Sequence, residues 1–194
     1  MNFYGHTKLA IENLLRWYSQ LKALRFSSLR YFNAAGYDVD GELNGLEHEP
    51  NNLLPIVLET IVGRRKKVEV YGTDYDTRDG SCIRDYIHVS DLAEAHLKAL
   101  DYLKHEKQDL VINLGTSNGL SVLEIMQIAR EVSGQEFNYT LGPRRAGDSA
   151  VVLAKAELAE ELLDWKPKHS DAQTLLETTP VSYTHLTLPT SDLV

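Results

Sequence analysis

Tyr4 and Lys8 stand four residues apart in the segment Y-G-H-T-K, at the start of a predicted helix. Side chains at that spacing lie on one helix face. A phenol is a poor base at neutral pH because its ordinary pKa is about 10, and a nearby ammonium group favours the phenolate. The pair could therefore act as an acid–base unit on a substrate hydroxyl. Because the pattern alone is common, its meaning depends on the segments that follow it.

The surrounding elements are predicted from hydrophobic periodicity and turn residues. The patterns predict strands over 26–32, 68–71, 86–89, 110–114, 137–141 and 150–154, and helices over 7–24, 53–62, 91–104, 121–132, 155–163 and 171–177. A polar loop is predicted at 37–52. Ser90 is predicted to cap the third helix, and Ser121 with Glu124 forms a capping-box pattern at the fourth. This alternation indicates an α/β fold.

Composition argues against several classes of protein. Hydrophobic residues make up 43% of the 194 residues, enough for a core, and the net charge is −8. No long basic stripe occurs, and we interpret the run Arg64–Lys67 as a solvated helix end, so no nucleic-acid partner is predicted. Cys82 is the only cysteine, which fits a reducing cytoplasm. Neither a signal peptide nor a membrane span is predicted, so no membrane partner is expected.

Two motifs that suggest other chemistry are disfavoured. The segment G-T-S-N-G at 115–119 matches the nucleophile elbow of a hydrolase, but Ser121 is the predicted helix cap, which leaves Ser117 in a loop. The aspartate-rich segment at 74–80 resembles a calcium loop, but its third acid and its glycine fall one place late and its closing glutamate is missing. No metal site is therefore predicted.

Five further segments follow Tyr4 and Lys8 in a characteristic order. They are L-R-Y-F-N-A-A-G at 29–36, P-N-N-L-L-P at 50–55, R-D-Y-I-H-V-S-D-L-A at 84–93, N-L-G at 113–115 and P-R-R-A-G-D at 143–148. Their order and spacing resemble the extended short-chain dehydrogenase/reductase family and, within it, the UDP-glucose (UDP-galactose) 4-epimerases, over about residues 3–178. The resemblance implies NAD as cofactor, a UDP-hexose as substrate and a homodimer.

The resemblance implies a role for each matched residue. Tyr4 is the catalytic base, Lys8 favours its phenolate form and holds the nicotinamide ribose, and Phe32 lies against the cofactor. Asn33 and Asn52 hold the UDP-sugar, with Leu53 beside Asn52. Val70 and Tyr71 flank the uracil, Arg84 and Arg145 bind the diphosphate, and Asp148 binds the uridine ribose. These assignments suit the chemistry, since guanidinium groups match phosphate oxygens and a carboxylate matches a ribose diol. The arginines could instead be surface ion-pair partners, and the asparagines and the aspartate turn or cap residues.

The implied reaction is inversion at C4 of UDP-glucose or UDP-galactose through a 4-keto intermediate. Val152 stands four residues after Asp148, at the position that borders the sugar pocket in the family, and a small residue there implies that N-acetylhexosamines are accepted. Val151 or Leu153 takes that place if the alignment shifts by one. The alternatives are another nucleotide-sugar enzyme of the family, such as a dehydratase or decarboxylase, and a non-catalytic UDP-sugar-binding fragment.

The sequence contains no G-x-G-x-x-G turn of the kind that binds a dinucleotide pyrophosphate. In the family this turn precedes the tyrosine and lysine. We therefore predict a C-terminal fragment that is inactive alone, with one face of its first helix exposed. The predicted fold is a truncated Rossmann-like doubly wound sheet plus a smaller C-terminal α/β substrate-binding domain. Residues 1–35 would belong to the NAD-binding domain, 36–179 mainly to the UDP-sugar-binding domain, and 180–194 to a non-native or disordered tail.

Overall fold

The computed structural model describes residues 3–43 and 50–184. The helices are α1 (Phe3–Leu21), α2 (Leu53–Ile61), α3 (Val89–Glu106), α4 (Val122–Ser133), α5 (Glu157–Leu163) and α6 (Ala172–Thr184). The strands are β1 (Ser27–Arg30), β2 (Asn33–Ala35), β3 (Val68–Tyr71), β4 (Ile83–Arg84), β5 (Tyr86–His88), β6 (Leu110–Asn113), β7 (Leu120–Ser121), β8 (Tyr139–Gly142) and β9 (Val151–Val152). Helices and strands alternate, which confirms the predicted α/β class.

The strands form small, mostly parallel pairings. β1 pairs with β6, β2 with β5, and β3 with β8, each in parallel. β4 lies between β7, to which it is antiparallel, and β9, to which it is parallel. Parallel strands need a long crossover connection, which here always includes at least one helix. The predicted domain boundary at residue 35 stays a prediction.

Two hydrophobic clusters fill the interior, and β5 joins them. One cluster contains residues of α2, α4, α6 and β3 together with Tyr86, and the other contains residues of α3, α5 and β6 together with Ile87. Successive side chains of a strand point to opposite faces, so neighbouring residues of β5 enter different clusters. The chain that runs from β4 into β5 therefore packs against one hydrophobic cluster on each side.

Helix α1 buries polar side chains and exposes apolar ones. Glu12 is 6% exposed and accepts hydrogen bonds from the Arg30 guanidinium and from Ser28 Oγ (3.0 Å), which tie the helix to β1. The hydrogen bond from Arg30 holds the pKa of Glu12 below its usual range. Phe3 and Leu21 are 85% and 72% exposed. The predicted exposure of an apolar helix face is therefore observed.

Long-range pairing divides the strand that was predicted over 26–32. β1 ends at Arg30 and pairs with β6, whereas β2 begins at Asn33 and pairs with β5. The chain changes partner between these two residues, and β2 was not predicted. β7 was also not predicted.

Local capping explains where two helices begin. Ser121 Oγ accepts from Glu124 N (3.0 Å) and Glu124 Oε2 accepts from Ser121 N (2.8 Å), so the predicted capping box is confirmed. The prediction that Ser90 caps α3 was wrong. His88 is the N-cap, and its Nδ1 accepts from Ser90 N at 3.0 Å.

His88 is fully buried beneath the loop that follows β2. Its Nε2 lies 3.0 Å from Thr178 Oγ1, and burial lowers the pKa of the imidazole. Gly36 packs on the ring with a φ of +74°, and a Cβ at that position would lie 2.3 Å from His88 Cδ2. Both the conformation and the close approach therefore require glycine at position 36.

The last helix is longer than the sequence predicted. α6 continues to Thr184, so the first five residues of the predicted tail continue a helix, whereas residues 185–194 lie outside the described residues. Leu175 and Leu176 anchor this helix in the core. Part of the predicted loop over 37–52, residues 44–49, is likewise not described. None of the described helices combines the length and apolar character that a bilayer crossing needs.

Candidate substrate-binding site

An open cavity of about 570 Å³ lies between the start of α2, strand β3 and the β4–β5 segment. It brings together seven of the nine residues predicted to hold the UDP-sugar or to border its sugar pocket. They are Asn33, Asn52, Leu53, Tyr71, Arg84, Arg145 and Asp148.

Asp148 connects the two predicted phosphate-binding arginines. Its Oδ2 accepts from Arg145 Nε at 3.0 Å, and its Oδ1 lies 3.7 Å from Arg84 Nη2. The carboxylate therefore holds the two guanidinium groups on one wall of the cavity. The predicted convergence of these three residues is observed, while their contacts to a ligand stay a prediction.

Arg84 is held in place by the backbone as well as by Asp148. Its Nη1 donates to the carbonyl oxygens of Ile83 (2.9 Å) and Ser149 (2.8 Å), and its side chain is only 18% exposed. A guanidinium fixed in this way loses little rotamer freedom when an anion binds. Arg84 is therefore the better organised of the two arginines, since the Arg145 side chain is 62% exposed.

Tyr71 forms an aromatic surface on the cavity wall. The Arg145 guanidinium carbon lies 4.8 Å from the centroid of its ring, and Tyr71 Oη donates to Glu69 Oε2 at 2.9 Å. The hydrogen bond to Glu69 raises the pKa of Tyr71. A ring held at both its face and its hydroxyl suits the flat face of a nucleobase, as predicted for the uracil.

Asp85 is buried and ties the β4–β5 segment to the loop at 115–119 and to Ala154. The residue is 1% exposed, and its Oδ1 accepts from Thr116 N (2.9 Å) and Thr116 Oγ1 (2.8 Å). Its Oδ2 accepts from Ser117 N (3.2 Å) and Ala154 N (3.1 Å). Asp85 therefore has a structural role, whereas Arg84, the residue before it, lines the cavity.

Asn33 and Asn52 fit the site in different ways. Asn33 Nδ2 donates to the Asp85 carbonyl oxygen at 2.8 Å, so its amide is already partly used in the protein. Asn52 is the N-cap of α2 by position, but its side chain makes no capping hydrogen bond. The interpretation of Asn52 as a side-chain cap is therefore wrong.

Five predicted site residues do not line this cavity. Tyr4 and Lys8 lie on α1, with Lys8 Nζ 5.1 Å from the Tyr4 ring centroid, and Phe32 lies between β1 and β2; all three are exposed. Val70 is 1% exposed and faces the core. Val152 pairs with Arg84 across the β4–β9 ladder, so it neighbours the cavity without lining it.

Several lining residues were not predicted, among them Arg65, Lys67, Glu69 and Tyr86. The interpretation of 64–67 as a solvated helix end was incomplete, because two of its members reach the cavity wall. The alternation of side chains along a strand could have revealed these lining residues. Side chains two apart share a face, so Tyr71 implies Glu69 and Lys67, and Arg84 implies Tyr86.

The serine of the G-T-S-N-G segment takes no part in a nucleophile elbow. Ser117 is exposed in a loop, and its Oγ donates to the Ala154 carbonyl oxygen at 3.0 Å. Ser121, not Ser117, precedes the helix, as predicted. Within the described residues, no cluster of three or more potential metal ligands occurs.

Four basic and two acidic side chains line the cavity, which leaves two excess positive charges among its described residues. The parallel strand pairs are typical of an α/β protein. The positive charge of the cavity suits a small anionic ligand. Residues 1–115 match the NAD dependent epimerase/dehydratase family. The chain belongs to that family.

Relatives with curated names are similar over most of this chain. A UDP-glucose 4-epimerase of Lacticaseibacillus casei is 44% identical over 177 residues, which are 91% of this chain and 54% of the relative. One of Halalkalibacterium halodurans is 45% identical over 91% of this chain and 53% of its own length. The chain thus spans about half the length of the curated relatives it matches.

Solved structures show the same fold. UDP-glucose-4-epimerase from Stenotrophomonas maltophila, with bound NAD and formylated UDP-arabinopyranose, is 38% identical with a TM-score of 0.89, and the match covers 96% of this chain and 56% of that one. UDP-glucose 4-epimerase from Bifidobacterium longum, in complex with NAD+ and UDP, is 38% identical with a TM-score of 0.86 over 95% of this chain and 55% of that one.

Proposed function

We propose that this chain supplies the UDP-sugar-binding part, and the catalytic tyrosine and lysine, of an NAD-dependent UDP-glucose 4-epimerase. The observation that carries the proposal is the cavity wall on which Arg84, Arg145 and Asp148 converge beside Tyr71. Two guanidinium groups suit a diphosphate, the carboxylate suits the ribose diol and the ring suits uracil. The named relatives and the two ligand-bound structures support the same substrate and cofactor.

In the proposed mechanism, the residues that bind the nucleotide differ from those that carry out the chemistry. Arg84 and Arg145 would hold the diphosphate while the sugar presents either face of C4. Tyr4 would take the proton from the 4-hydroxyl and return it, and Lys8 would keep the phenolate available. Tyr4, Lys8 and Phe32 are exposed, and an ammonium with two aromatic rings suits a nicotinamide riboside. When bound, NAD supplies reversible hydride transfer at C4.

Localisation in the cytoplasm and assembly as a homodimer belong to the same proposal. A single buried cysteine is compatible with a reducing compartment. A UDP-hexose is the proposed small-molecule partner, and neither nucleic acid nor membrane is proposed as a partner.

UDP binding by the 194-residue chain tests the site. We expect saturable binding in calorimetric titration, weakened about 30-fold or more by Arg84→Ala and about tenfold by Arg145→Ala, because hydrogen bonds between charged groups contribute about 1.5–3 kcal/mol. Arg144→Ala is the matched control. Arg144 pairs with Asp74 (2.7 Å), lies 4.2 Å from the Tyr75 ring centroid, and does not line the cavity.

Circular dichroism distinguishes a wrong site assignment from a chain that has not folded. A chain that is folded by circular dichroism but does not bind UDP would contradict the site assignment. A larger loss of affinity in Arg144→Ala than in Arg145→Ala would show that the assignment is displaced by one residue.

Val152 is proposed to set the width of the sugar pocket. Paired residues of neighbouring strands share a face, so Val152 lies on the same face as Arg84, while Val151 pairs with Ile83 on the other face. We expect Val152→Tyr to weaken binding of UDP-N-acetylglucosamine about tenfold more than binding of UDP-galactose, since the larger ring occupies the space of the acetyl group.

The control for this variant is Val151→Tyr, which places the same ring on the opposite face and should leave the ratio of the two affinities unchanged. Competition against UDP measures both affinities. If the wild-type chain already excludes the N-acetyl sugar, or if Val151→Tyr changes the ratio as strongly, the role of Val152 is refuted.

A further inference from the structure

Lys67 is a cavity-lining cation for which the described part of the chain supplies no ion-pair partner. Arg84 and Arg145 share Asp148, and Arg65 Nε lies 3.2 Å from Glu59 Oε2. Across residues 3–43 and 50–184, by contrast, no carboxylate lies within ion-pair distance of Lys67. The carboxylates of the cavity wall are thus committed elsewhere.

Strand geometry directs Lys67 toward the cavity. Lys67 immediately precedes β3, where Val68 and Val70 are each 1% exposed and face the core. Alternation places Lys67 on the other face, with Glu69 and Tyr71, and all three line the cavity. Its position is therefore fixed by the same strand that carries the proposed uracil-binding ring.

Glu69 does not neutralise this lysine. Its Oε2 accepts the hydrogen bond from Tyr71 Oη at 2.9 Å, which directs the carboxylate along the strand toward Tyr71. Lys67 is exposed to solvent, so an ammonium that has no ion-pair partner among the described residues costs little and stays available to an anion that enters the cavity.

We infer that Lys67 is a further substrate-binding residue that attracts the phosphate groups of the nucleotide, in addition to Arg84 and Arg145. The inference rests on the proposed function and deepens it. Lys67 is one of four cations that line the cavity, and a nucleotide diphosphate is an anion that could use its charge. Its contribution is electrostatic, so it should depend on ligand charge and on salt.

Titrations of the 194-residue chain with UDP, UMP and uridine test this role. We expect Lys67→Ala to raise the Kd for UDP about three- to tenfold, that for UMP less and that for uridine not at all, since the ligands carry decreasing negative charge. The salt dependence of UDP binding should also become weaker. Lys67→Arg should restore binding to within about twofold of wild type, because the charge is kept.

Lys66→Ala is the matched control, because Lys66 is the adjacent cation and does not line the cavity. If Lys67→Ala lowered the affinity for uridine as much as the affinity for UDP, Lys67 would contact the base, and the inference would be overturned. If Arg84→Ala weakens UDP binding while Lys67→Ala leaves it unchanged, the inference fails and the proposed function stands. If the wild-type chain does not bind UDP, both fall.

Discussion

Replacing Asp85 with alanine is expected to lower the free energy of unfolding by about 3–5 kcal/mol. Asp85 is 1% exposed, and its two oxygens accept four hydrogen bonds, three of them from backbone N–H groups. Alanine would leave these donors without their acceptor where water has little access. The loss is a large fraction of the stability of a typical domain, so part of the variant population should be unfolded at 25 °C.

The Asp85 carboxylate packs closely against Gly115. A Cβ at that position would lie 2.6 Å from Asp85 Oδ2 and 2.5 Å from the Cβ of Ala154, so glycine allows the loop backbone to approach the carboxylate. Asp85→Asn should be milder, because one acceptor oxygen remains while an amide group faces the other donors.

Urea unfolding followed by circular dichroism measures both changes. The control is Asp101→Ala, since the Asp101 side chain is 64% exposed and forms an exposed ion pair with Lys104, and a change within about 0.5 kcal/mol is expected. A loss below about 1 kcal/mol in Asp85→Ala would contradict the structural role that the geometry gives this carboxylate.

Features that depend on nearby residues could be predicted from the sequence. β3 has the predicted bounds, and the Ser121–Glu124 capping box is present. Both follow from short-range rules, namely the alternation of buried and exposed side chains and the reciprocal hydrogen bonds of a helix start. The positions of Arg84, Arg145 and Asp148 in one cavity followed instead from motif resemblance, because no local rule brings residues 60 apart together.

Features that depend on distant residues could not be predicted. The division between β1 and β2 is set by β6 and β5, which lie more than 50 residues away, and nothing within 26–35 marks the change of partner. Lys67 was missed for a different reason. A basic run after a helix is usually solvated, and this general expectation outweighed the strand alternation that places Lys67 on the same face as Glu69 and Tyr71.

The position of α1 connects the proposed chemistry to the binding cavity. Glu12 holds the helix to β1 through Arg30 and Ser28, and two residues separate the end of β1 from β2, whose first residue, Asn33, lines the cavity. On the same helix, Lys8 Nζ lies 5.1 Å from the Tyr4 ring centroid. The proposed acid–base pair is therefore linked to the cavity through α1, the hydrogen bonds of Glu12 and the segment from β1 to β2.

Because Tyr4 is proposed to move the proton of the 4-hydroxyl, Tyr4→Phe should lower the rate of epimerisation about 10²–10⁴-fold, the usual contribution of a positioned acid–base group. The assay is conversion of UDP-galactose to UDP-glucose with added NAD. It would use a chimera in which the N-terminal part of the Halalkalibacterium halodurans relative precedes Phe3, since this chain spans 53% of that relative.

Tyr18→Phe is the matched control for this assay. Tyr18 is also a tyrosine of α1 and is 51% exposed, but it lies more than three turns from Tyr4, so its variant should keep activity within about twofold. UDP affinity should be unchanged in both variants, because neither phenol lines the cavity.

If Tyr4→Phe kept more than a tenth of the activity, Tyr4 would not be the base, even with the UDP site intact. An active Tyr18→Phe chimera beside an inactive Tyr4→Phe chimera of equal UDP affinity would assign the proton transfer to Tyr4 and separate it from nucleotide binding.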